Sequence, residues 1–288
     1  MKIAVLSGKG GTGKTLVAVN LAALSPGSIY VDCDVEEPNG YLYFKPQDVQ
    51  SKPVTVKIPQ VNSALCDSCR KCVDFCKFNA LAWIKEKVIV FDEICHSCGG
   101  CIILCPPKAI TERDKEIGQI EKGLSGRVQV ITGILNPGEA SGVPIIEKTL
   151  QNLKEISQNV FIDCPPGSAC IVMESIKDAD YCLLVAEPTV FGVHNLDMVK
   201  ELVELFHRPY GVVLNKCLEE KDNPAEEFCL KNQIKILAKI PFDLELGVLN
   251  SNGQIVALEH PKFQNLFMEL LQTVEKEVRH ETTSNIER

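Results

Sequence analysis

Short apolar runs bounded by polar turn residues recur before residue 50 and again after residue 126. Runs of this length, rich in Val, Ile and Leu at successive positions, are typical of strands buried on both faces of a sheet. The predicted strands are 2–7, 28–32, 127–131, 160–163, 181–186, 210–214 and 235–240. Helical patterns separate most of them, and this alternation predicts an α/β fold with a doubly wound, mostly parallel sheet.

A cysteine-rich stretch interrupts the alternation between Pro53 and Lys115. Four of its cysteines recur 29 positions later, so that Cys66, Cys69, Cys72 and Cys76 are repeated as Cys95, Cys98, Cys101 and Cys105. The repeat predicts two halves related by a pseudo-twofold axis. We therefore expect a discontinuous α/β domain over 1–55 and 118–280, an inserted α+β domain over 56–117, a return linker over 118–126 and a flexible tail over 281–288.

Composition narrows the class of protein. A chain of 288 residues that is 45% hydrophobic can bury a sizeable core, and a net charge of -8 does not favour nucleic-acid binding. The apolar runs are far shorter than the ~20 residues that a membrane helix needs, so we expect a cytoplasmic protein without membrane insertion. Fourteen cysteines in such a chain indicate metal ligation or redox chemistry rather than disulfides.

A phosphate-binding motif follows the first predicted strand. Residues 8–15, GKGGTGKT, fit G-x-x-x-x-G-K-T between a strand and a helix. Backbone N–H groups and the helix N-terminus would face the phosphates, Lys14 would reach the β/γ oxygens, and the Thr15 hydroxyl would bind Mg²⁺. The predicted nucleotide-binding residues of this loop are Gly8, Gly10, Gly11, Thr12, Gly13, Lys14 and Thr15. An ordinary glycine-rich turn, the alternative, needs neither Lys14 nor Thr15.

Lys9 defines a subclass of this motif. With Lys9, the loop resembles the deviant Walker A motif of the MinD, ParA and nitrogenase iron protein family, and the resemblance extends over the chain outside the insert. In that family the extra lysine reaches across a nucleotide-sandwich dimer to the partner's ATP. The resemblance implies a homodimer in the ATP state, or a heterodimer with a related ATPase. A solvated loop lysine is the alternative for Lys9.

The segment 31–39, VDCDVEEPN, resembles the first switch segment of the same family. On that match Asp34 positions the attacking water or lies near Mg²⁺, and Asn39 sits at a switch position, whereas Asp32 could be a structural cap. The buried strand 160–163 ends in Asp163, a carboxylate able to hold Mg²⁺ through water beside the phosphate loop. The predicted catalytic residues are Lys9, Lys14, Asp34 and Asp163.

Two later segments resemble the parts of the family that bind the base. In VVLNK at 212–216, Asn215 is implied to hydrogen-bond adenine. In IPFD at 240–243, Pro241 and Asp243 are implied to line the same base. An ordinary turn is the alternative for both segments.

The spacing C-x2-C-x2-C-x3-C is the ligand run of ferredoxins, in which the fourth cysteine reaches the other cluster. By that rule Cys66, Cys69, Cys72 and Cys105 hold one [4Fe-4S] cluster, and Cys95, Cys98, Cys101 and Cys76 hold a second. Four-thiolate zinc sites are the alternative. The block resembles bacterial two-cluster ferredoxins, except that Lys77 follows Cys76 where that fold usually has proline. A cation there should favour the reduced cluster, so we expect Lys77→Glu to lower one potential.

The other six cysteines are scattered, and most are expected to be small buried hydrophobes. Cys170 could instead correspond to a ligand of the subunit-bridging cluster of the nitrogenase iron protein, although its second ligand region, 135–142, has no cysteine. Near the C-terminus, apolar residues from Phe263 to Val278 have helical spacing. We interpret this helix as part of the core rather than as a membrane-binding helix, because its other face is not strongly basic.

Three functions fit these features. The preferred one is an ATP-gated electron-transfer protein in which closure of a dimer changes how two clusters meet a redox partner. An ATP-dependent carrier of iron-sulfur clusters, with a cluster-accepting partner, is the first alternative. A redox-regulated positional ATPase like MinD or ParA is the second.

Overall fold

The computed structural model describes residues 1–151, 153, 156–218 and 222–286. The strands are β1 (Lys2–Leu6), β2 (Ile29–Asp32), β3 (Gln47–Val61), β4 (Leu81–Ile84), β5 (Lys87–Val90), β6 (Ile110–Ser125), β7 (Val128–Leu135), β8 (Val160–Asp163), β9 (Tyr181–Ala186), β10 (Tyr210–Cys217) and β11 (Ile236–Pro241). The helices are α1 (Lys14–Leu24), α2 (Gly40–Phe44), α3 (Lys71–Phe75), α4 (Gly100–Ile103), α5 (Val143–Gln151), α6 (Cys170–Ile176), α7 (Val190–Leu205), α8 (Pro224–Lys231), α9 (Leu244–Ser251), α10 (Val256–Glu259) and α11 (Pro261–Ile286).

Nine of the described strands form one sheet in the order β11-β10-β9-β1-β8-β2-β7-β6-β3. Strands β11 to β7 in this order are parallel, and β6 and β3 continue the sheet in antiparallel fashion. The predicted α/β fold with a mostly parallel sheet is therefore confirmed. All seven predicted strands are present, with ends that differ by up to four residues, because β7 and β10 run on to Leu135 and Cys217.

Apolar side chains alternate between two cores on opposite faces of the sheet. Ala4 and Leu6 of β1 face one core together with α5 to α8, whereas Ile3 and Val5 face the other, which contains α1 and α11. Helix α11 contributes the buried residues Phe263, Phe267, Leu270, Leu271, Val274 and Val278. The expectation that this helix packs in the core is confirmed, and it continues through 281–286 of the expected tail, with 287–288 outside the described residues.

The expectation of a return linker over 118–126 is wrong. These residues belong to β6, which pairs with both β3 and β7, and the chain turns at Gly126 with a φ of 57°. Two glycines of this segment are needed for close packing: a Cβ on Gly118 would lie 2.1 Å from the carbonyl oxygen of Ile134, and one on Gly123 would lie 2.9 Å from that of Gln47. The expected domain boundaries at 55/56 and 117/118 fall within β3 and β6.

Strands β3 and β6 form a long antiparallel ribbon that carries residues 62–109. This segment contains α3, the hairpin β4–β5, a short 3₁₀ turn (Asp92–Ile94) and α4, and its small core includes Cys72, Leu81, Cys101 and Ile110. Its backbone repeats at 29 residues: the N–H groups of Ala80 and Ala109 donate to Cys76 and Cys105 Sγ at 3.3 and 3.2 Å. The sequence repeat is thus a structural repeat.

Of the scattered cysteines, four are buried in the first core and behave as small apolar residues: Cys33, Cys164, Cys182 and Cys229. Cys217 is half-buried, and Cys170 is exposed at the start of α6. Among the described residues, no helix is long and apolar enough to cross a membrane.

Candidate functional site

The phosphate loop joins the carboxyl end of β1 to α1 and opens on a large cavity of about 680 Å³. Gly11 and Gly13 have φ values of 77° and 105°, a backbone conformation that glycine adopts without strain. Gly13 is the N-cap of α1, so the positive end of that helix faces the cavity. The cavity is lined by Gly10, Gly11, Gly13, Lys14, Thr15, Asp34, Glu37, Asn39, Tyr43 and Gly253 among others.

Asp163 lies at the end of β8, buried beside the phosphate loop. Its Oδ2 accepts a hydrogen bond of 3.0 Å from the Tyr30 hydroxyl, while its Oδ1 has no hydrogen-bond partner among the described residues. Burial raises the pKa of Asp163, and the Lys14 ammonium and the hydroxyls of Thr15 and Tyr30 oppose that shift. A buried carboxylate oxygen without a partner fits a ligand that supplies positive charge or a donor.

Asp32 ends β2 and is paired with Asp163 on the neighbouring strand β8, but the two carboxylates have different environments. Its two oxygens accept backbone hydrogen bonds from Asp34 (3.1 Å), Asn39 (3.0 Å) and Gly40 (2.8 Å). Burial, and then the charge of Asp163, raise the pKa of Asp32 to about 8. Asp32 therefore closes the loop 34–40 as a structural cap, the alternative that its sequence context left open.

Asp34 faces the cavity together with Lys14 and Thr15. Burial raises the pKa of Asp34 to about 6, against the opposing charge of Lys14. A half-buried carboxylate next to the loop lysine can orient a water molecule or lie near a bound cation. The structure thus brings Lys14, Thr15, Asp34 and Asp163 to one place.

Lys9, the residue that defined the subclass, makes an ion pair within its own chain. Its Nζ lies 2.6 Å from Glu187, and Lys216 Nζ lies 2.6 Å from the other oxygen of the same carboxylate. Lys216 also donates to the Gly11 carbonyl at 2.8 Å. Burial raises the pKa of Glu187, but the two ammonium groups outweigh it and the net shift is downward. Sequence reasoning missed Glu187, because no motif marks it.

The three residues expected to bind the base, Asn215, Pro241 and Asp243, have different surroundings. Asn215 is buried against the phosphate loop, and its Nδ2 donates to the Thr12 carbonyl at 2.7 Å. Pro241 ends β11. Asp243 caps α9 by accepting from Glu245 and Leu246, and its carboxylate pairs with Lys262 at 2.6 Å. In the described structure these three residues are not among those that line the large cavity.

The structure groups the eight repeated cysteines into two sets of four. Cys66, Cys69, Cys72 and Cys105 line one small cavity. Cys76, Cys95, Cys98 and Cys101 line a second cavity of about 180 Å³, together with Lys77 and His96. These are the sets that the ferredoxin crossing rule predicts. Burial, and then the neighbouring Cys95 and Cys98, raise the pKa of Cys101 to about 11.

Each set contains one buried and one exposed cysteine. Cys72 and Cys101 are buried, whereas Cys69 and Cys98 are exposed. Within the described residues, no group of three or more His, Cys, Asp or Glu side chains could hold a single metal ion.

A chain of contacts joins the two regions. The Leu135 N–H donates to the Val35 carbonyl at 2.8 Å, next to Asp34. The loop after β7 then carries Glu139, which pairs with Lys115 of β6 at 2.7 Å with both side chains largely buried. Lys115 Nζ also donates to the Asp92 carbonyl at 2.9 Å, three residues before Cys95.

Comparison with known proteins gives a family and a fold. The family described as "CobQ/CobB/MinD/ParA nucleotide binding domain" matches residues 3–256. "Uncharacterized protein MJ0578" of Methanocaldococcus jannaschii is 32% identical over 281 residues, which cover 96% of this chain and 97% of that protein. "Uncharacterized protein MJ0579" of the same organism is 31% identical over 75% of this chain and 80% of its own length.

Among solved structures, the cell division ATPase MinD of Pyrococcus furiosus has a TM-score of 0.60 at 20% identity and covers 96% of this chain and 98% of its own. The septum site-determining protein MinD of Pyrococcus horikoshii, complexed with Mg-ADP, has a TM-score of 0.59 at 19% identity, with 96% of each chain covered. At these identities the likeness concerns the fold.

Proposed function

We propose that this chain, which belongs to the CobQ/CobB/MinD/ParA nucleotide-binding family, is an ATPase that couples ATP to electron transfer. In this proposal, Mg²⁺–ATP binding rearranges a dimer and changes the redox behaviour of two [4Fe-4S] clusters in residues 56–117. Residues 1–55 and 118–280 form the ATPase module. The observation that carries the proposal is the contact chain between the nucleotide cavity and one cysteine set.

The large cavity supports the ATP half of the proposal. Lys14 would neutralise the β and γ phosphates, and Thr15 and Asp163 would hold Mg²⁺, with Asp163 Oδ1 as the free acceptor. The buried Thr12 hydroxyl also has no partner among the described residues and would donate to a phosphate oxygen. Asp34 would orient the attacking water.

Lys9 supports a dimer. Its partner within the chain, Glu187, also forms an ion pair with Lys216. If Lys9 moves away, the Glu187 carboxylate therefore still has a positively charged partner. We propose that ATP binding moves Lys9 from Glu187 to the ATP of the opposite subunit. That subunit is a second copy of this chain or a related ATPase.

The two cysteine sets support the cluster half. A cubane binds one thiolate at each of four iron corners, so its ligands are spread more widely than those of a single ion, and four thiols around one cavity suit it. The N–H groups of Ala80 and Ala109 point at ligand sulfurs, and such hydrogen bonds favour the reduced cluster. The clusters, when bound, supply reversible one-electron storage.

The ion pair of Glu139 with Lys115 supports coupling. Movement of Asp34 and Val35 in response to the γ-phosphate would shift Leu135 and the loop that carries Glu139. Lys115 would pass this shift to Asp92 and so to the ligand Cys95. The element that moves in this account is the loop 136–142, which connects β7 to α5.

The test begins with anaerobic reconstitution of the full chain. We expect about eight iron atoms per chain and the visible absorbance of [4Fe-4S] clusters. Lys14→Ala should abolish ATP binding and leave the cluster absorbance intact, whereas Cys105→Ser should remove one cluster and leave ATP binding. Loss of both properties in either variant would rule out two separable modules.

Delivery of clusters is a second candidate, favoured by the exposure of Cys69 and Cys98. An exposed ligand allows an incoming thiolate to attack the cluster. Incubation with an apo-ferredoxin acceptor, with and without ATP, separates the two functions. The electron-transfer proposal expects iron to stay on this protein, whereas ATP-dependent movement of iron to the acceptor would establish a carrier.

A further inference from the structure

Exposed apolar side chains are concentrated around the cysteine cavities. Of 22 large hydrophobic residues exposed in the described chain, nine lie between residues 62 and 109, which is a sixth of the sequence. Ile103 is 85% exposed, although it lies on α4 between two cysteines of different sets. Exposed apolar side chains that cluster in this way are often found at interaction sites.

Several of these side chains gather at the rim of the second cavity. Phe75, Lys77, Phe78 and His96 line that cavity, and the Phe78 and His96 rings stack with centroids 3.8 Å apart. Phe75 packs against Gly100, where an added Cβ would lie 2.2 Å from its ring. Ile103 follows Gly100 by three residues and so shares its face of α4. We define Phe75, Lys77, Phe78, His96 and Ile103 as the second-cavity rim.

The charge around this rim differs from that of the molecule. Residues 62–109 contain six lysines and arginines against five acidic residues, whereas the whole chain has a net charge of -8. Lys77 itself forms no ion pair within the described residues. The rim thus has an apolar centre beside an uncompensated cation, on a protein that is otherwise acidic.

From these observations we propose that the second-cavity rim docks a small acidic electron-carrier protein. This rests on the proposed function, since it takes the second cavity as a cluster site. Cys76, Cys95, Cys98 and Cys101 would hold a cluster able to accept one electron, and the reduced prosthetic group of the carrier would supply that electron and be oxidised. Apolar contact at Phe78 and Ile103 would exclude water from the path, and Lys77 would steer the acidic carrier.

A second copy of this chain suits the rim less well. A twofold dimer through this surface would bring the same patch of each subunit together, and the two Lys77 ammonium groups would repel each other. An acidic carrier instead pairs its negative charge with Lys77. Charge complementarity therefore selects the carrier.

The test measures the dissociation constant of an acidic two-cluster ferredoxin from the reconstituted full chain by calorimetry. Ile103→Ala and Lys77→Glu are each expected to raise it about fivefold or more, the effect of losing about 1 kcal/mol at an interface. Leu230→Ala and Lys231→Glu are the matched controls, because both residues are exposed on α8 far along the chain. Higher salt should weaken binding of the parent protein and have less effect on Lys77→Glu.

Cluster absorbance of every variant is recorded first, so that loss of a cluster is separated from loss of docking. Unchanged affinity in both rim variants with intact clusters would overturn the docking proposal and leave the proposed function standing. Equally tight binding of a basic cytochrome, or rim-dependent self-association in sedimentation, would also overturn it. Absence of clusters in the parent protein would instead contradict the proposed function.

Discussion

Asp32 and Asp163 lie at the ends of adjacent strands, and their different surroundings give the two carboxylates different roles. Both carboxylate oxygens of Asp32 accept hydrogen bonds from backbone N–H groups of the loop 34–40. One buried oxygen of Asp163 has no hydrogen-bond partner in the described chain. A buried acceptor that makes three hydrogen bonds stabilises the fold, while one left without a partner costs stability until a ligand binds. Asp32 therefore has a structural role, whereas Asp163 is suited to binding a cation.

Substitution of these two residues should give opposite results. Asp32→Ala leaves three backbone donors without their acceptor, of which the Gly40 N–H is buried, and should lower the free energy of unfolding by roughly 2 kcal/mol. Asp163→Asn keeps an acceptor for Tyr30 and removes a buried charge, so it should not lower the melting temperature. It should instead reduce Mg²⁺-dependent ATP hydrolysis by on the order of 10²-fold. Thermal unfolding and phosphate release measure the two effects, and a destabilised but active Asp163→Asn protein would contradict this assignment.

Glu187 is the residue that holds Lys9 within the chain. Glu187→Gln removes the charge that competes with ATP for Lys9, so the variant should dimerise at a lower ATP concentration than the parent protein. Glu204→Gln is the matched control, since Glu204 pairs with Lys200 in α7, away from the phosphate loop. Sedimentation velocity over an ATP titration measures the midpoint. An unchanged midpoint in Glu187→Gln would refute the proposal that Glu187 competes with ATP for Lys9.

At the scale of elements, the parallel strands could be predicted because their apolar runs are continuous. The antiparallel ribbon could not, because β3 and the first half of β6 have exposed, charged residues such as Lys57 and Asp114 in place of an apolar pattern. The range 118–126 was expected to be a linker, although Gly118 and Gly123 within it allow a close backbone approach. The phosphate loop and the two cysteine sets could be identified because their spacing is local. Glu187, directly after β9, and Tyr30, on β2, belong to no such local motif.

The ribbon provides a test at this scale. Gly118→Ala places a methyl group 2.1 Å from the Ile134 carbonyl and should lower the free energy of unfolding by about 1–3 kcal/mol. Gly247→Ala in α9 meets no atom within 4 Å and should be neutral or stabilising by up to about 1 kcal/mol. Chemical denaturation compares the two variants, and equal stability would show that Gly118 tolerates a side chain.

For the whole molecule, the described structure separates two potential reaction centres, and a largely buried ion pair lies between them. The nucleotide cavity lies at the carboxyl ends of the parallel strands, and the cysteine sets lie at the far end of the ribbon. Glu139 and Lys115 bridge the two, which makes their pair the place where coupling can be interrupted.

Glu139→Gln should uncouple the two centres. The variant keeps a hydrogen-bonding group but loses the charge that holds Lys115, so nucleotide should no longer alter the second cluster. ATP hydrolysis and cluster content should stay within about twofold of the parent protein, because Glu139 touches neither centre. Glu226→Gln is the control, since its ion pair with Lys239 is largely exposed and lines neither the nucleotide cavity nor the cysteine cavities. Equal nucleotide responses in Glu139→Gln and the parent protein would mean that coupling takes another route.

Redox titration of the reconstituted protein measures directly whether nucleotide state and cluster redox state are coupled. Potentials are measured with ADP and with a non-hydrolysable ATP analogue, both with Mg²⁺. A coupling of roughly 5- to 150-fold between the two sites corresponds to a shift of about 40 to 130 mV for one electron. We predict a shift in this range for at least one cluster. Identical potentials in the two nucleotide states, with nucleotide bound and both clusters present, would contradict the account.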